Sequence, residues 1–517
     1  MKTAAAAGGD GVAIVDGEVR CTFAELDVQV GHLADELRAR GLRRGDRVGI
    51  LGGKSLAQVV AILAAARAQG VFVVISPKLK AEQADFICQD CRVRALIDTH
   101  ARPVGVKMID PGPICGDTSA PVSSCDVSGW NHPQADAWGW HLNNGPTIRR
   151  DLACLMYTSG STGRPKGVMI SHGNLLAGVE SVVSYLGLRQ DDRIVSVLPF
   201  AFDYGLNQLL CALSVRCRLI LIDSPFPQDI ARGIHAHCGT VLAGVPPTWA
   251  LMLFSKSVKR GVGSKALFPS LRIVTNSGGR VAPAMLREMQ RAFPAARIFL
   301  MYGLTEAFRS TYLDPDQLDV RPESIGKAIP GAEVFLVNDR GQPAQVGEIG
   351  EIVHRGDTVA LGYWNHPDET ARVYRLHPFA GEGAGLAEYV VYSGDYAVQD
   401  EEGFLYYHGR RDHQMKVQGM RVGPEEIEMV IAEAEGVCEC VVVSSGSDDS
   451  GDRIVAMVLA RERVDAETIL KHCHRRLPRY MVPREVRLCE SFPRLDNGKT
   501  DRMTLRDQAR REMAVRE

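Results

Sequence analysis

The chain has 517 residues, enough to build several hydrophobic cores. Its 45% hydrophobic and 24% charged content is that of an ordinary globular protein, and a net charge of −2 gives no argument for nucleic acid or an anionic membrane as partner. No charged-then-apolar leader opens the chain and no apolar run reaches membrane-spanning length, so a cytoplasmic protein with no membrane span is expected.

From about residue 10 to 110, strands and helices alternate. Val12-Ala13-Ile14-Val15 reads as a short strand. Thr22, with Glu25 three residues on, is a capping box for a helix running to about Arg40. Asp46 to Leu51 is a strand, Leu56 to Gln69 an apolar helix, and Val71 to Ile75 a buried strand. This βαβ rhythm implies a doubly wound sheet. Cys88-x-x-Cys91 falls in a helix from Glu82 to Cys91. Among 13 cysteines no second pair stands at zinc spacing, so structural thiols are expected. His472-Cys473-His474 lacks partner ligands too and reads as helix surface and packing. Residues from about 110 to 148 carry Pro, Gly, Ser, Asn and three Trp without a period, which reads as a surface excursion.

The alternation resumes at Leu152. Val195 to Leu198, Arg218 to Ile222, Val241 to Val245 and Leu271 to Val274 read as strands with helices between them. From about Ile325 to Tyr407 the strands shorten and Gly punctuates them, which suggests a small β subdomain. The last hundred residues read as a compact α/β unit: helix Pro424 to Glu435, strands Glu439 to Ser444 and Arg453 to Ala460, and helix Ala466 to Leu477.

One stretch carries chemistry on its face. Thr158-Ser159-Gly160-Ser161-Thr162-Gly163-Arg164-Pro165-Lys166-Gly167 follows the apolar run Leu152 to Tyr157. Glycines let backbone N–H groups approach phosphate oxygens closely, the hydroxyls add donors, and Lys166 adds a full charge. Gly163 and Lys166 are two residues apart, so this is not a Walker loop. Ser171 before His172-Gly173-Asn174 marks the next helix start.

The loop closely resembles the phosphate loop of the adenylate-forming enzymes: acyl-CoA synthetases, peptide-synthetase adenylation domains and luciferases. Further segments match that family in order, over about residues 10 to 505. Met301-Tyr302-Gly303-Leu304-Thr305-Glu306 looks like the segment in which a Thr binds the α-phosphate and a Glu helps hold Mg²⁺. A carboxylate beside a triphosphate needs such a metal to avoid repulsion. Tyr302 offers a flat face for adenine. Asn276-Ser277-Gly278-Gly279-Arg280 resembles the turn between acyl pocket and adenine. Tyr392-Ser393-Gly394-Asp395 resembles the ribose-binding segment, where a carboxylate accepts from the two hydroxyls.

By the same resemblance Arg410 contacts the nucleotide and Asp412 is a hinge. Gly419 and Arg421 would meet the thiol acceptor. Lys499, in Pro493-Arg494-Leu495-Asp496-Asn497-Gly498-Lys499, would bridge the attacking carboxylate and the α-phosphate. Phe202, Asp203, Tyr204, Asn207, Phe308 and Arg309 are the candidate acyl pocket. Asp203 either grips a substrate ammonium or holds the helix starting near Tyr204. Arg309 either neutralises Asp203 or holds a second substrate carboxylate.

The implied fold is α/β: residues 1–411 with two doubly wound sheets and a small β subdomain, then a small mobile α+β domain, 412–517. The implied chemistry is ATP- and Mg²⁺-dependent activation of a small carboxylic acid, then transfer to the thiol of CoA. A phosphopantetheinyl carrier protein acting in trans is the alternative acceptor. Either a monomer or a homodimer is compatible. Leu198 to Gln208 and Tyr302 to Tyr312 are worded like the acyl-CoA ligases associated with the exosortase A system.

Overall fold

A computed structural model describes residues 10–100, 105–108, 146–159, 165–254, 268–379, 388–410, 415–417, 420–448, 451–460, 464–495 and 497–514. The excursion at 110–145, loop residues Gly160, Ser161, Thr162 and Gly163, the hinge candidate Asp412 and Gly419 lie outside these ranges.

Three sheets organise the described residues. The first has six strands, in spatial order Gly105–Met108, Val93–Asp98, Arg47–Leu51, Val71–Ile75, Leu152–Ser159, Pro165–Ser171. Its inner strands are parallel, and their near-continuous apolar runs bury on both faces. The second sheet is larger. A parallel block of Val12–Asp16, Arg218–Leu221, Arg193–Ser196, Val241–Gly244, Ile273–Asn276 and Arg297–Tyr302 forms its first half. Antiparallel strands Thr311–Leu313, Ser324–Ala328, Leu405–Arg410, Tyr389–Gln399, Ile349–Gly356 and Ala332–Val337 then continue it edge to edge. The β-rich segment is therefore hydrogen-bonded into the second doubly wound sheet. The first strand of the chain pairs antiparallel with its neighbour Val19–Thr22 and, on its other side, parallel with Arg218–Leu221 of this second sheet.

Local signals placed the helices. Thr22 caps Phe23–Ala39 with the reciprocal Glu25 bonds of a capping box. Ser171 does the same for His172–Leu186, with Asn174 reaching back. The two large sheets are tied by Lys54, whose Nζ donates to the carbonyls of Ser196 at 2.8 Å and Ile222 at 3.4 Å. Burial pushes this lysine's pKa down to about 7.

The C-terminal sheet has the order Met420–Val422, Met415–Val417, Gly451–Ala460, Val437–Asp448, with Glu485–Leu488 against Gly451–Ala460. Helices Pro424–Glu433 and Ala466–Arg476 share one apolar core with it, where Cys473 is buried. Helix Arg502–Ala514 packs Leu505 and Ala509 on a second core with Val441, Val443, Val455 and Met457. Among the described residues no helix is long and apolar enough to cross a membrane.

Candidate active site

The parallel strands Arg193–Ser196, Val241–Gly244, Ile273–Asn276 and Arg297–Tyr302 all end on one edge of the second sheet, the edge where open α/β sheets place ligands. Gly278 turns there at φ 76°, a left-handed conformation that favours glycine. Asn276 holds the turn: its Nδ2 donates to the Gly279 carbonyl at 2.9 Å, and its Oδ1 accepts from Trp249 Nε1 at 3.0 Å. Gly279 lies close on Pro246, 3.0 Å from where a Cβ would stand.

Lys499 arrives from the C-terminal part. A hairpin carries it: Gly498 sits at φ 82°, Leu495 N donates to the Lys499 carbonyl at 2.8 Å, and Lys499 N donates to Asn497 Oδ1 at 3.0 Å. Arg494 pins that hairpin to Glu439 through two bonds of 2.8 and 2.6 Å. The lysine stem lies on Gly278, where a Cβ would come within 2.7 Å of Cε. Its Nζ stands 5.4 Å from the Phe202 ring centroid. Desolvation lowers its pKa, while Asp203 opposes the shift more than the other nearby acids, Asp395 and Glu306.

Asp395 and Arg410 face each other across adjacent strands, with Nε to Oδ1 at 3.0 Å. Asp395 is buried and also accepts from Tyr302 OH at 2.6 Å and Tyr407 OH at 3.2 Å. The bend that aims it is local: Gly394 takes φ 73°, and Ser393 Oγ donates to the Ile352 carbonyl at 2.7 Å. His354 stacks on Tyr302 at 6.0 Å, fully buried, with neither ring nitrogen hydrogen-bonded.

Thr305 opens a short 3₁₀ turn, Thr305–Ala307, directly after Arg297–Tyr302 and Gly303. Glu306 Oε1 accepts from Tyr363 OH at 2.7 Å. The Lys166 ammonium stands 5.9 Å from the same Tyr363 ring and pairs with Glu369 at 2.7 Å. Tyr363 thus joins the loop lysine to Glu306. Neither Tyr363 nor Glu369 was singled out by sequence reading. The signal was present in Gly362-Tyr363-Trp364, just after Gly-punctuated strand Ile349–Gly356. Thr158 and Lys166 face each other across an antiparallel pair, as do Ser159 and Pro165. Leu152–Ser159 and Pro165–Ser171 thus form an antiparallel pair, and the second of them leads into the helix that Ser171 caps.

The pocket candidates divide into three groups. Phe202 and Asp203 flank Lys499. Asp203 Oδ1 accepts from Tyr204 N at 2.7 Å, so it braces the start of helix Asp203–Val215. Tyr204, Asn207 and Arg309 line a small cavity with Tyr185, Gln208 and Thr275. Phe308 takes φ 49° and is fully buried against Gly178, outside that lining. Arg309 reaches only the Asp203 backbone carbonyl, at 3.5 Å, and forms no ion pair with its carboxylate. Arg421 stands opposite Lys416 where strands Met420–Val422 and Met415–Val417 pair at the edge of the C-terminal sheet.

A single hard carboxylate fits Mg²⁺, which takes one or two carboxylates plus phosphate oxygens and water. Glu306, with one oxygen fixed by Tyr363, meets that requirement.

Residues 1–364 match the AMP-binding enzyme model, and residues 426–499 match the AMP-binding enzyme C-terminal domain. Malpinin synthetase of Mortierella alpina is 30% identical over 530 residues, covering 96% of this chain and 6% of that protein. Tyrocidine synthase 1 of Brevibacillus parabrevis is 27% identical over 501 residues, covering 96% of this chain and 43% of that protein. The chain thus spans less than half the length of these curated relatives. Among solved structures, ATP-bound MatB from Rhodopseudomonas palustris superposes with a TM-score of 0.81 at 25% identity, covering 98% and 97% of the two chains. The anthranilate CoA ligase AuaEII with anthranoyl-AMP shares the fold at a TM-score of 0.81 and 24% identity, covering 98% and 95%. The chain belongs to the family of AMP-binding enzymes.

Proposed function

We propose that the protein uses ATP to activate a carboxylic acid as its acyl-adenylate and then transfers the acyl group to the thiol of CoA. The observation that carries this is Lys499: a C-terminal hairpin delivers a desolvated ammonium onto the Gly278 turn, beside Phe202 and within the field of Asp395 and Glu306. In the first step a carboxylate oxygen of the substrate bonds to the α-phosphorus, and the bond to pyrophosphate breaks. Lys499 offsets the charge that builds on the α-phosphate oxygens. Asp395 and Arg410 hold the ribose side, Tyr302 offers its ring to adenine, and Thr158, Lys166 and the loop between them grip the outgoing phosphates. Thr305 donates to the α-phosphate. Mg²⁺ held by Glu306 supplies charge neutralisation of the triphosphate when bound. In the second step the thiol attacks the acyl carbon and AMP leaves.

Domain 412–517 turns about Asp412 between the steps, and Gly419 and Arg421 then face the pantetheine arm. Lengthwise similarity to peptide synthetases supports a second acceptor, a carrier protein in trans. The likeness in wording to exosortase-associated ligases and a cytoplasmic location belong to this reading as well. Pyrophosphate release over a panel of acids, with and without CoA, tests it. Acid-dependent release followed by thioester is expected. Release without any thioester on CoA would move the acceptor to a carrier protein, and no release with any acid would end the proposal.

A further inference from the structure

This inference rests on the adenylation reading and concerns what the acid carries at its far end. Tyr204, whose ring meets that of Phe202 edge to face at 6.1 Å, lines a cavity of about 20 Å³. That is room for about one water-sized group. Arg309 is 5% exposed and forms one wall. Its guanidinium lies 4.8 Å from the Tyr204 ring centroid, and its Nε–H has no acceptor. Its hydrogen bond to the Asp203 carbonyl is long, at 3.5 Å, and among the described residues no carboxylate pairs with it. The nearest candidate, Asp203, turns its Oδ1 to Tyr204 N at 2.7 Å and its field to Lys499. On the same wall Asn207 Nδ2 has no acceptor, and Gln208 Oε1 has no donor.

A guanidinium keeps its charge in any protein environment, and a buried charge without a counter-ion is unfavourable. Two donors and that charge line a space that holds one water-sized group, the size of a single carboxylate oxygen. We propose that Arg309 and Asn207 receive a second, distal carboxylate of the acid being activated, so that the substrate is a dicarboxylic acid spanning the Phe202–Tyr204 layer. The carboxylate near Lys499 reacts, and the one at Arg309 anchors. Arg309 takes it through parallel N–H bonds, the geometry guanidinium offers to carboxylates. Gln208 Oε1 accepts from a hydroxyl or a water beside it.

The test is ATP–pyrophosphate exchange by the full chain, with succinate, glutarate and adipate each set against the monoacid of equal length. At least one diacid is expected to exceed its monoacid in kcat/KM by about 30-fold or more, since a desolvated charge pair is at stake. Arg309→Met should erase that advantage and Arg309→Lys should keep part of it. If Arg309→Met fails to fold by its melting curve, the wild-type comparison still decides. Monoacids or uncharged-side-chain amino acids that exchange as well as every diacid would overturn the inference and leave the adenylation reading standing. Exchange with no acid of any kind would overturn both.

Discussion

Gly278→Ala separates stability from chemistry at one atom. The backbone there is at φ 76°, where an L-residue pays about 1–2 kcal/mol that glycine does not. The added Cβ would stand 2.7 Å from Lys499 Cε and 3.4 Å from Val245 Cγ1. Ordinary carbon contacts begin near 3.5 Å, so the lysine stem must move by roughly 0.8 Å. A shift of about 1 Å in a catalytic group costs on the order of 10²-fold in rate. Two effects of different kind are therefore expected: a loss of about 1–2 kcal/mol in unfolding free energy, and a loss of about 10²-fold in acyl-adenylate formation. The second should be confined to the step that uses Lys499. Thioester formation from chemically supplied acyl-adenylate should stay within a few-fold of wild type. Denaturant unfolding and the two half-reactions, each measured on the same preparation, read these separately. A variant that loses stability as stated yet adenylates at the wild-type rate would refute the placement of Lys499 over this turn.

Two other perturbations follow from the same geometry. Lys499→Ala should lower adenylation by about 10²–10³-fold, the usual worth of one preorganised charge. Because burial lowers this ammonium's pKa, wild-type adenylation should decline on the alkaline side earlier than a free lysine would allow, and the variant should lack that limb; an unchanged alkaline limb in the variant would assign it to another group. His354→Leu tests a buried histidine whose pKa desolvation takes from an ordinary 6.5 to about 3. The unfolded chain binds a proton that the native state refuses, so stability falls as pH drops below the unfolded value and goes on falling to about 3. At about pH 5 that linkage costs about 2 kcal/mol, and the leucine variant should gain this much on wild type between about pH 7.5 and 5. A pH-independent difference in urea unfolding would show that the His354 imidazole takes up its proton as readily in the native state as in the unfolded chain.

The parts of this molecule legible in its sequence are those fixed by short-range chemistry. Thr22 and Glu25 lie three residues apart, and the capping box they form needs nothing else. Val71 to Ile75 is a buried strand because five apolar residues leave no polar face. The segments 302 to 306, 392 to 395 and 497 to 499 stood out through wording that resembles the adenylate-forming enzymes, and a glycine punctuates each: Gly303, Gly394 and Gly498. Pairing across the chain was not legible. Val12–Asp16 has the pattern of a strand but carries no mark of its partner, Arg218–Leu221, some 200 residues away. Pro165–Ser171 was hidden because its first residues, Pro165, Lys166 and Gly167, read as loop. Only pairing with Leu152–Ser159 makes them a strand. Tyr363 and Glu369 escaped for the same reason. A tyrosine in a Gly-Tyr-Trp turn is common, and its meaning appears only when Lys166 and Glu306 are seen on either side of it.

The acceptor count at Asp395 constrains how a nucleotide enters on the proposed reading. An ionised carboxylate offers about four lone-pair sites. Three are engaged: Oδ1 by Arg410 Nε at 3.0 Å and Tyr407 OH at 3.2 Å, and Oδ2 by Tyr302 OH at 2.6 Å. One site on Oδ2 remains, whereas a ribose diol presents two hydroxyls. The second hydroxyl must therefore displace a partner, and the longest bond, from Tyr407, is the cheapest to give up. Arg410 need not move, because its Nη2 also holds the Ser393 carbonyl at 3.2 Å and keeps the guanidinium in place. Tyr302 keeps the shortest bond, which fixes its ring near His354 at 6.0 Å and Tyr407 at 6.2 Å. Binding at this carboxylate thus exchanges one tyrosine hydroxyl for one sugar hydroxyl and adds a second bond. The net gain is a single hydrogen bond to a charged acceptor, about 1.5–3 kcal/mol. The ribose segment on this reading orients the nucleotide, and the phosphate loop holds it.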